Sequence, residues 1–171
     1  VYNKNNSGLP NDKIKAMVRA ADGSFYLGTD KGVAHFNDGQ WTVVNKSNSD
    51  LPDDKVRALD VDPEGNVWIG TDKGLARWGA DGWEVFKKSN SVLPDDKLRS
   101  ITIGKDSTKW FGTKKGLARY DGENWIVYDK KSNDLPHDAV NSLETDDLNN
   151  TWAGTDNGIQ VFSNQVTARF V

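Results

Sequence analysis

The chain has 171 residues, of which 27% are charged, with a net charge of −3 and no cysteine. That length can bury a substantial core. The charge balance provides no basic footprint for nucleic acid and no polybasic patch for a membrane surface, and the lack of cysteine excludes disulfides, thiol catalysis and Cys-ligated zinc. No apolar run approaches the ~20 residues that a membrane-spanning helix needs, so direct membrane insertion is not expected. The first residue is Val1 rather than Met. The chain therefore reads as a mature or trimmed product, and the lack of a visible leader leaves secretion undecided.

The sequence repeats. Leu-Pro stands at Leu9-Pro10, Leu51-Pro52, Leu93-Pro94 and Leu135-Pro136, each step being 42 residues. Gly-Thr stands at Gly28-Thr29, Gly70-Thr71, Gly112-Thr113 and Gly154-Thr155, again in steps of 42. Two anchors sharing one period without slippage define four units, approximately 3–44, 45–86, 87–128 and 129–171, in a single domain over residues 1–171.

Within the second unit the elements follow in order. Val56 to Val61 reads as a strand, and Asp62-Pro63-Glu64-Gly65-Asn66 has turn chemistry. Val67-Trp68-Ile69 is a continuous apolar run suited to a strand buried on both faces. Leu75 to Trp78 is a third strand, and Gly79-Ala80-Asp81-Gly82 a further turn. Trp83 to Phe86 alternates as a fourth strand, and a long polar stretch from Lys87 to Asp96 leads into the next unit. Four short strands per unit, with no helical period in any window, describe β-propeller blades. The fold class is thus all-β, a propeller of four 42-residue, four-stranded blades. In the last unit the outer strand is expected at Thr167-Ala168-Arg169-Phe170.

The recurring residues have structural readings. Gly32, Gly74, Gly116 and Gly158 fall where a tight turn calls for positive φ. Gly28 and its equivalents end the second strand, where a neighbouring backbone approaches closely. Tyr26, Trp68, Trp110 and Trp152 share one position, Phe36, Trp78, Tyr120 and Phe162 another, and Trp41, Trp83 and Trp125 a third; such rings fill the wedges between splayed blades.

The combination Leu-Pro-x-Asp, an apolar strand, then Trp68-Ile69-Gly70-Thr71-Asp72-Lys73-Gly74-Leu75-Ala76-Arg77 resembles the two-component regulator propeller repeat. All four units carry the resemblance. It implies the sensor propellers of bacterial hybrid histidine kinases and related secreted proteins, hence an extracytoplasmic (periplasmic or secreted) setting and a sensing or binding role. It names no ligand.

Chemistry is sparse. His35 and His137 stand at non-equivalent positions of different units, His35 in a set typical of a solvated strand face, which argues against a triad or a multi-His metal site. Asp12, Asp54, Asp96 and Asp138 recur in every unit and read as loop caps. Asp60 to Asn66 has the look of a calcium loop, yet Gly104-Lys105-Asp106-Ser107-Thr108 fills the same place in the next unit, so a hairpin turn is the reading. No cofactor, catalytic constellation or metal is expected.

Each inner strand opens with a polar residue, Lys15, Arg57, Arg99 or Asn141, preceded by a loop rich in Asn, Ser and Asp. The candidate ligand-binding residues are these four together with Asn48, Asp50, Asp54 and Asp96, taken to ring the channel mouth beside exposed aromatics. The expected function is a binding or interaction module for a small molecule, glycan or protein, with carbohydrate among the ligand classes that fit. The alternative is a polysaccharide lyase or hydrolase with acidic residues at the channel. Four blades are also at the low end for a closed ring. A closed monomer, a homodimer forming an eight-bladed ring, and a segment of a longer propeller all fit the sequence.

Overall fold

A computed structural model of the chain describes residues 1–132 and 134–163. Four antiparallel sheets follow one another along the chain, each a meander whose strands pair in sequence order. The first comprises β1 (Ile14–Arg19), β2 (Phe25–Thr29), β3 (Gly32–Asn37) and β4 (Gln40–Val44). The second comprises β5 (Val56–Val61), β6 (Val67–Thr71), β7 (Gly74–Gly79) and β8 (Gly82–Phe86), at the places read from the sequence. The third holds β9 (Leu98–Ile103), β10 (Lys109–Thr113), β11 (Gly116–Tyr120) and β12 (Trp125–Tyr128). The fourth holds β13 (Val140–Thr145), β14 (Thr151–Thr155) and β15 (Gly158–Phe162). The outer strand expected at 167–170 lies outside the described residues.

The sheets pack face to face in series, with the inner strands β1, β5, β9 and β13 as successive neighbours. Apolar side chains fill the three spaces between sheets. Val33, Val56, Leu59 and Ile69 join the first sheet to the second. Trp68, Leu75, Leu98, Ile101 and Phe111 join the second to the third. Trp110, Leu117, Val140 and Ala153 join the third to the fourth. The Leu-Pro leucines are part of this core: Leu9, Leu51, Leu93 and Leu135 are all buried.

The Gly-Thr-x-x-Gly signature resolves into three jobs. Gly70, on β6, faces the next sheet, and a Cβ there would meet the Leu98 side chain. Thr71 is fully buried; its hydroxyl donates to the Gly74 carbonyl at 2.7 Å and accepts the Lys73 N–H at 3.1 Å, closing the turn. Gly74 takes φ of +139°, a conformation few other residues adopt readily.

The rings behave as core at the centre of the stack and not at its end. Trp68 and Trp110 are buried, whereas the equivalent Trp152 is exposed. The indoles are held in place by carboxylates: Trp68 Nε1 donates to Asp62 at 2.9 Å, and Trp152 Nε1 to Asp146 at 3.0 Å. The same aspartates accept the N–H groups of Asn66 and Asn150. Asp62 to Asn66 is thus a hairpin turn whose carboxylate orients a tryptophan. These bonds hold the Asp146 carboxyl down at about 2, with the indole N–H the largest cause.

Candidate functional site

The long loops before the inner strands and the short turns after β2, β6, β10 and β14 share one face of the stack. The Gly32 N–H, in such a turn, bonds the Asp54 carbonyl of the following loop at 2.8 Å. Each loop is pinned by its recurring aspartate: Asp12, Asp54, Asp96 and Asp138 accept the N–H groups of Lys4, Lys46, Lys88 and Lys130. Asn48 accepts the Asn45 N–H at 2.8 Å and donates to the Val43 carbonyl at 2.9 Å. Asp54, Asp96 and Asn48 therefore give shape to the loops, and Asp50 is exposed beside them.

Every inner strand has an irregularity at one equivalent point. In β1 the register passes from Ile14 to Ala16, in β5 from Val56 to Ala58, in β9 from Leu98 to Ser100 and in β13 from Val140 to Ser142. The residues left without a cross-strand partner are Lys15, Arg57, Arg99 and Asn141. A bulge frees its residue from the ladder and re-aims the side chain. The structure brings these four candidates to one rim through a shared backbone device.

The residues just after Gly-Thr are Asp30, Asp72, Lys114 and Asp156, and the three aspartates bond or pair with rim residues. Arg57 grips Asp72 with two bonds of 2.8 and 3.0 Å, and its other nitrogen lies 3.5 Å from Asp30 of the preceding sheet. Hydrogen bonding to Asp72 raises the guanidinium pKa, and the same bonds lower that of the Asp72 carboxyl. Lys97 Nζ adds a contact to Asp72 at 3.9 Å. Asn141 donates to Asp156 at 2.6 Å.

Unit three departs from this plan. Lys114 occupies the position that is Asp in the other units. Arg99, half-buried, donates to the side-chain amide oxygen Oδ1 of Asn141 instead of to a carboxylate. Among the described residues no carboxylate lies within ion-pair distance of Arg99 or Lys114. Reading positions 30, 72, 114 and 156 as one column reveals this break in the sequence itself. The bulges leave no such trace.

The repeat's tryptophans belong to the sheet faces: Trp68 and Trp110 are buried, Trp41 lines a hollow on the first sheet and Trp152 is exposed on the fourth. His35 departs from a solvated strand face. It stacks on Tyr26 with ring centroids 4.3 Å apart, and its desolvated ring is held below the ordinary histidine pKa. His137 caps its loop, Nδ1 accepting the Ala139 N–H at 3.1 Å. No group of three or more His, Cys, Asp or Glu side chains arranged to hold a metal occurs among the described residues, and no helix there is long and apolar enough to cross a membrane.

A second acidic feature lies on the inner strands. Asp60 is half-buried on β5, and desolvation is the main reason its pKa is pushed up to about 6. Glu144 and Asp62 add to the rise. Both Asp60 oxygens are engaged: Oδ1 accepts the Val61 N–H at 2.8 Å and Oδ2 the Ile103 N–H at 2.9 Å.

Residues 50–73 match the family model for the two component regulator propeller. No curated protein matches the chain. Among solved structures, the chain is similar to the extracellular domains of two proteins from B. thetaiotaomicron described as hybrid two component systems. The first is 22% identical with a TM-score of 0.80, the match covering 96% of this chain and 23% of that one. The second is 24% identical with a TM-score of 0.72, covering 94% and 23%. A virginiamycin B lyase from Staphylococcus aureus is 17% identical with a TM-score of 0.66, covering 91% and 57%. The chain thus spans about a quarter of the length of the extracellular domains it is similar to. A two component regulator propeller repeat is thus matched over residues 50–73, and the chain as a whole has the propeller-like fold of the extracellular domains of these hybrid two component systems.

Proposed function

We propose that this chain is a non-enzymatic, ligand-reading β-propeller segment of an extracytoplasmic bacterial sensor or secreted protein, and that it takes an acidic small molecule or glycan at the bulge rim. The observation that carries the reading is the charge break in unit three. Arg57 is neutralised between Asp30 and Asp72, whereas Arg99 and Lys114 stand at matching positions without a carboxylate among the described residues. A guanidinium offers a bidentate fork to a carboxylate or sulfate, and Lys15 and Asn141 extend the rim on either side. A glycan bearing uronic acid or sulfate groups matches both the cations and the flanking amide and hydroxyl groups of the loops. The experiment is calorimetric titration with acidic oligosaccharides and their neutral counterparts. Acidic ligands are expected to bind, and Arg99→Ala with Lys114→Ala to weaken them at least tenfold. Unchanged affinity in that double variant would refute the site.

The second reading is a lyase or hydrolase using carboxylates across the channel. In its favour stands Asp60, whose raised pKa of about 6 suits a general acid or base. Against it, both Asp60 oxygens already accept backbone N–H groups. A bell-shaped pH–rate profile on a polysaccharide substrate, abolished by Asp60→Asn, would favour this reading over the first.

A further inference from the structure

We propose that the cavity between the second and third sheets binds one neutral hexopyranose unit, with the buried ammonium of Lys109 as its main hydrogen-bond donor. Both sheets lie inside the stack. The cavity sits at the β5–β6 hairpin end of the strands, opposite the rim that follows Thr71. It is a separate site, and the proposal does not rest on the reading of the rim.

Lys109 opens β10 and is 7% exposed. An ammonium carries three N–H donors and no acceptor. Among the described residues Lys109 Nζ makes no hydrogen bond. Its nearest charge is Asp62 Oδ2 at 3.9 Å, beyond bonding reach, and the Trp68 ring lies 5.8 Å away. The Asp62 oxygens are already taken by Trp68 Nε1 and by both nitrogens of Asn66. Lys109 thus balances the charge of Asp62 without bonding it. A buried donor without an acceptor is costly, so the three hydrogens call for an acceptor from outside the chain.

Sheet packing does not ask for lysine at this position. One unit earlier the residue is Val67, 2% exposed, with Ala20 in the place of Asp62 and Trp78 in the place of Tyr120. Val67 and Trp78 pack in the apolar cluster between the first and second sheets. Between the second and third sheets the same region holds a cavity of about 250 Å³. Lys109 and Arg77 border it as cations, Asp62, Glu64 and Glu84 as carboxylates, and Trp68 and Tyr120 as rings.

Size, charge and bonding together select the ligand. The cavity is below the ~300–1,000 Å³ that takes a drug-sized molecule, so it suits a single ring. Its carboxylates outnumber its cations, and Asp62 stands beside the ammonium, so an anion is repelled where a neutral group is not. The ligand must accept from Lys109 and donate to carboxylates. Glu84 gives Oε2 to Arg77 at 3.2 Å and Glu64 gives Oε1 to Ser107 at 3.2 Å. The second oxygen of each has no hydrogen bond among the described residues. A hydroxyl both donates and accepts, and a hexopyranose carries several around a ring whose C–H surface suits aromatic walls. The Tyr120 hydroxyl is occupied by the Gly122 carbonyl at 2.7 Å, so Tyr120 offers its ring.

The test is NMR titration of the 171-residue chain with the methyl β-glycosides of glucose and galactose, with methyl α-mannoside, and with methyl β-glucuronide as the acidic counterpart. At least one neutral glycoside is expected to bind with a Kd of about 1–10 mM, and the glucuronide about fivefold or more weaker. The Trp68 indole N–H signal should move, and the signals of Arg99 and Asn141 at the rim should not. Lys109→Met keeps the stem and removes the donors; folded, it should lose about tenfold or more in affinity. Glu84→Ala alters an exposed side chain, so it folds whether or not Lys109→Met does, and it should weaken binding about threefold. No saturable Trp68 shift with any neutral glycoside, a glucuronide that binds as tightly, shifts confined to the rim, or undiminished affinity in either folded variant would each overturn the proposal.

Discussion

A methyl group placed on Gly70 would lie 2.7 Å from the Cβ of Leu98, the first residue of the next sheet's inner strand. The Gly70 backbone is not among the positive-φ glycines, so it is crowding and not backbone conformation that requires glycine here. Real Cβ atoms do not approach so closely, and Leu98 is fully buried. Gly70→Val should therefore force the second and third sheets apart and cost about 2–3 kcal/mol. Urea unfolding measures this. A variant as stable as wild type would show that the sheets slide apart without penalty.

Thr71 tests the turn. It is fully buried, and its hydroxyl serves both the Gly74 carbonyl and the Lys73 N–H. Thr71→Val keeps the shape and removes both bonds, leaving a buried carbonyl and an amide unsatisfied. About 2 kcal/mol should be lost. Thr71→Ser, which keeps the hydroxyl, should recover most of it. Equal losses in the two variants would assign the effect to the missing methyl group instead.

Leu93 tests the Leu-Pro anchor. At 2% exposure it packs in the cluster with Trp68, Leu98 and Phe111. Leu93→Ala should cost about 2–4 kcal/mol through lost burial and the cavity left behind. The exposed neighbour Val92 is the control, with Val92→Ala expected within about 0.5 kcal/mol of wild type. Similar midpoints for the two variants would remove Leu93 from the core.

Asp60 sets a pH dependence whose sign is fixed by its environment. Its pKa in the folded chain is about 6 against an ordinary 3.8, so folding disfavours the ionised form. For this group stability is greatest below pH ~4, falls as pH rises from ~4 through ~6, and is constant above. The total amounts to about 3 kcal/mol. Neighbouring Glu144 and Asp62 raise the pKa further, and the Val61 and Ile103 N–H groups oppose them. Urea stability should thus fall between pH 4 and pH 7 in the wild type, and the Asp60 component should vanish in Asp60→Asn. Parallel pH profiles for the two proteins would place the titration elsewhere.

Much of the architecture was legible in the sequence because the repeat is strict. A 42-residue step shared by Leu-Pro and Gly-Thr locates four equivalent units, and alternation with turn residues places the strands within them. Val56 to Val61 is a strand in both readings. The recurring aspartates of the loops were legible as caps for the same reason: a side chain needed in every unit for backbone bonding recurs in every unit. The rim was legible in part. Lys15, Arg57, Arg99 and Asn141 share a column, and Lys114 breaks the column of Asp30, Asp72 and Asp156.

What the tertiary structure alone decided are the relations between residues far apart in the chain. A bulge is a difference between the registers of two paired strands, so Arg57 shows it only once Val56 and Ala58 are set opposite Thr71 and Gly70. The grip of Arg57 on both Asp72 and Asp30 depends on two sheets meeting at one rim. Likewise Trp68 and Trp152 occupy one repeat position and share one carboxylate bond, yet one is buried and the other exposed. A repeat makes such residues identical in local sequence. Only their place in the stack, with or without a following sheet, separates the core residue from the surface residue, because burial depends on the neighbour and not on the unit itself.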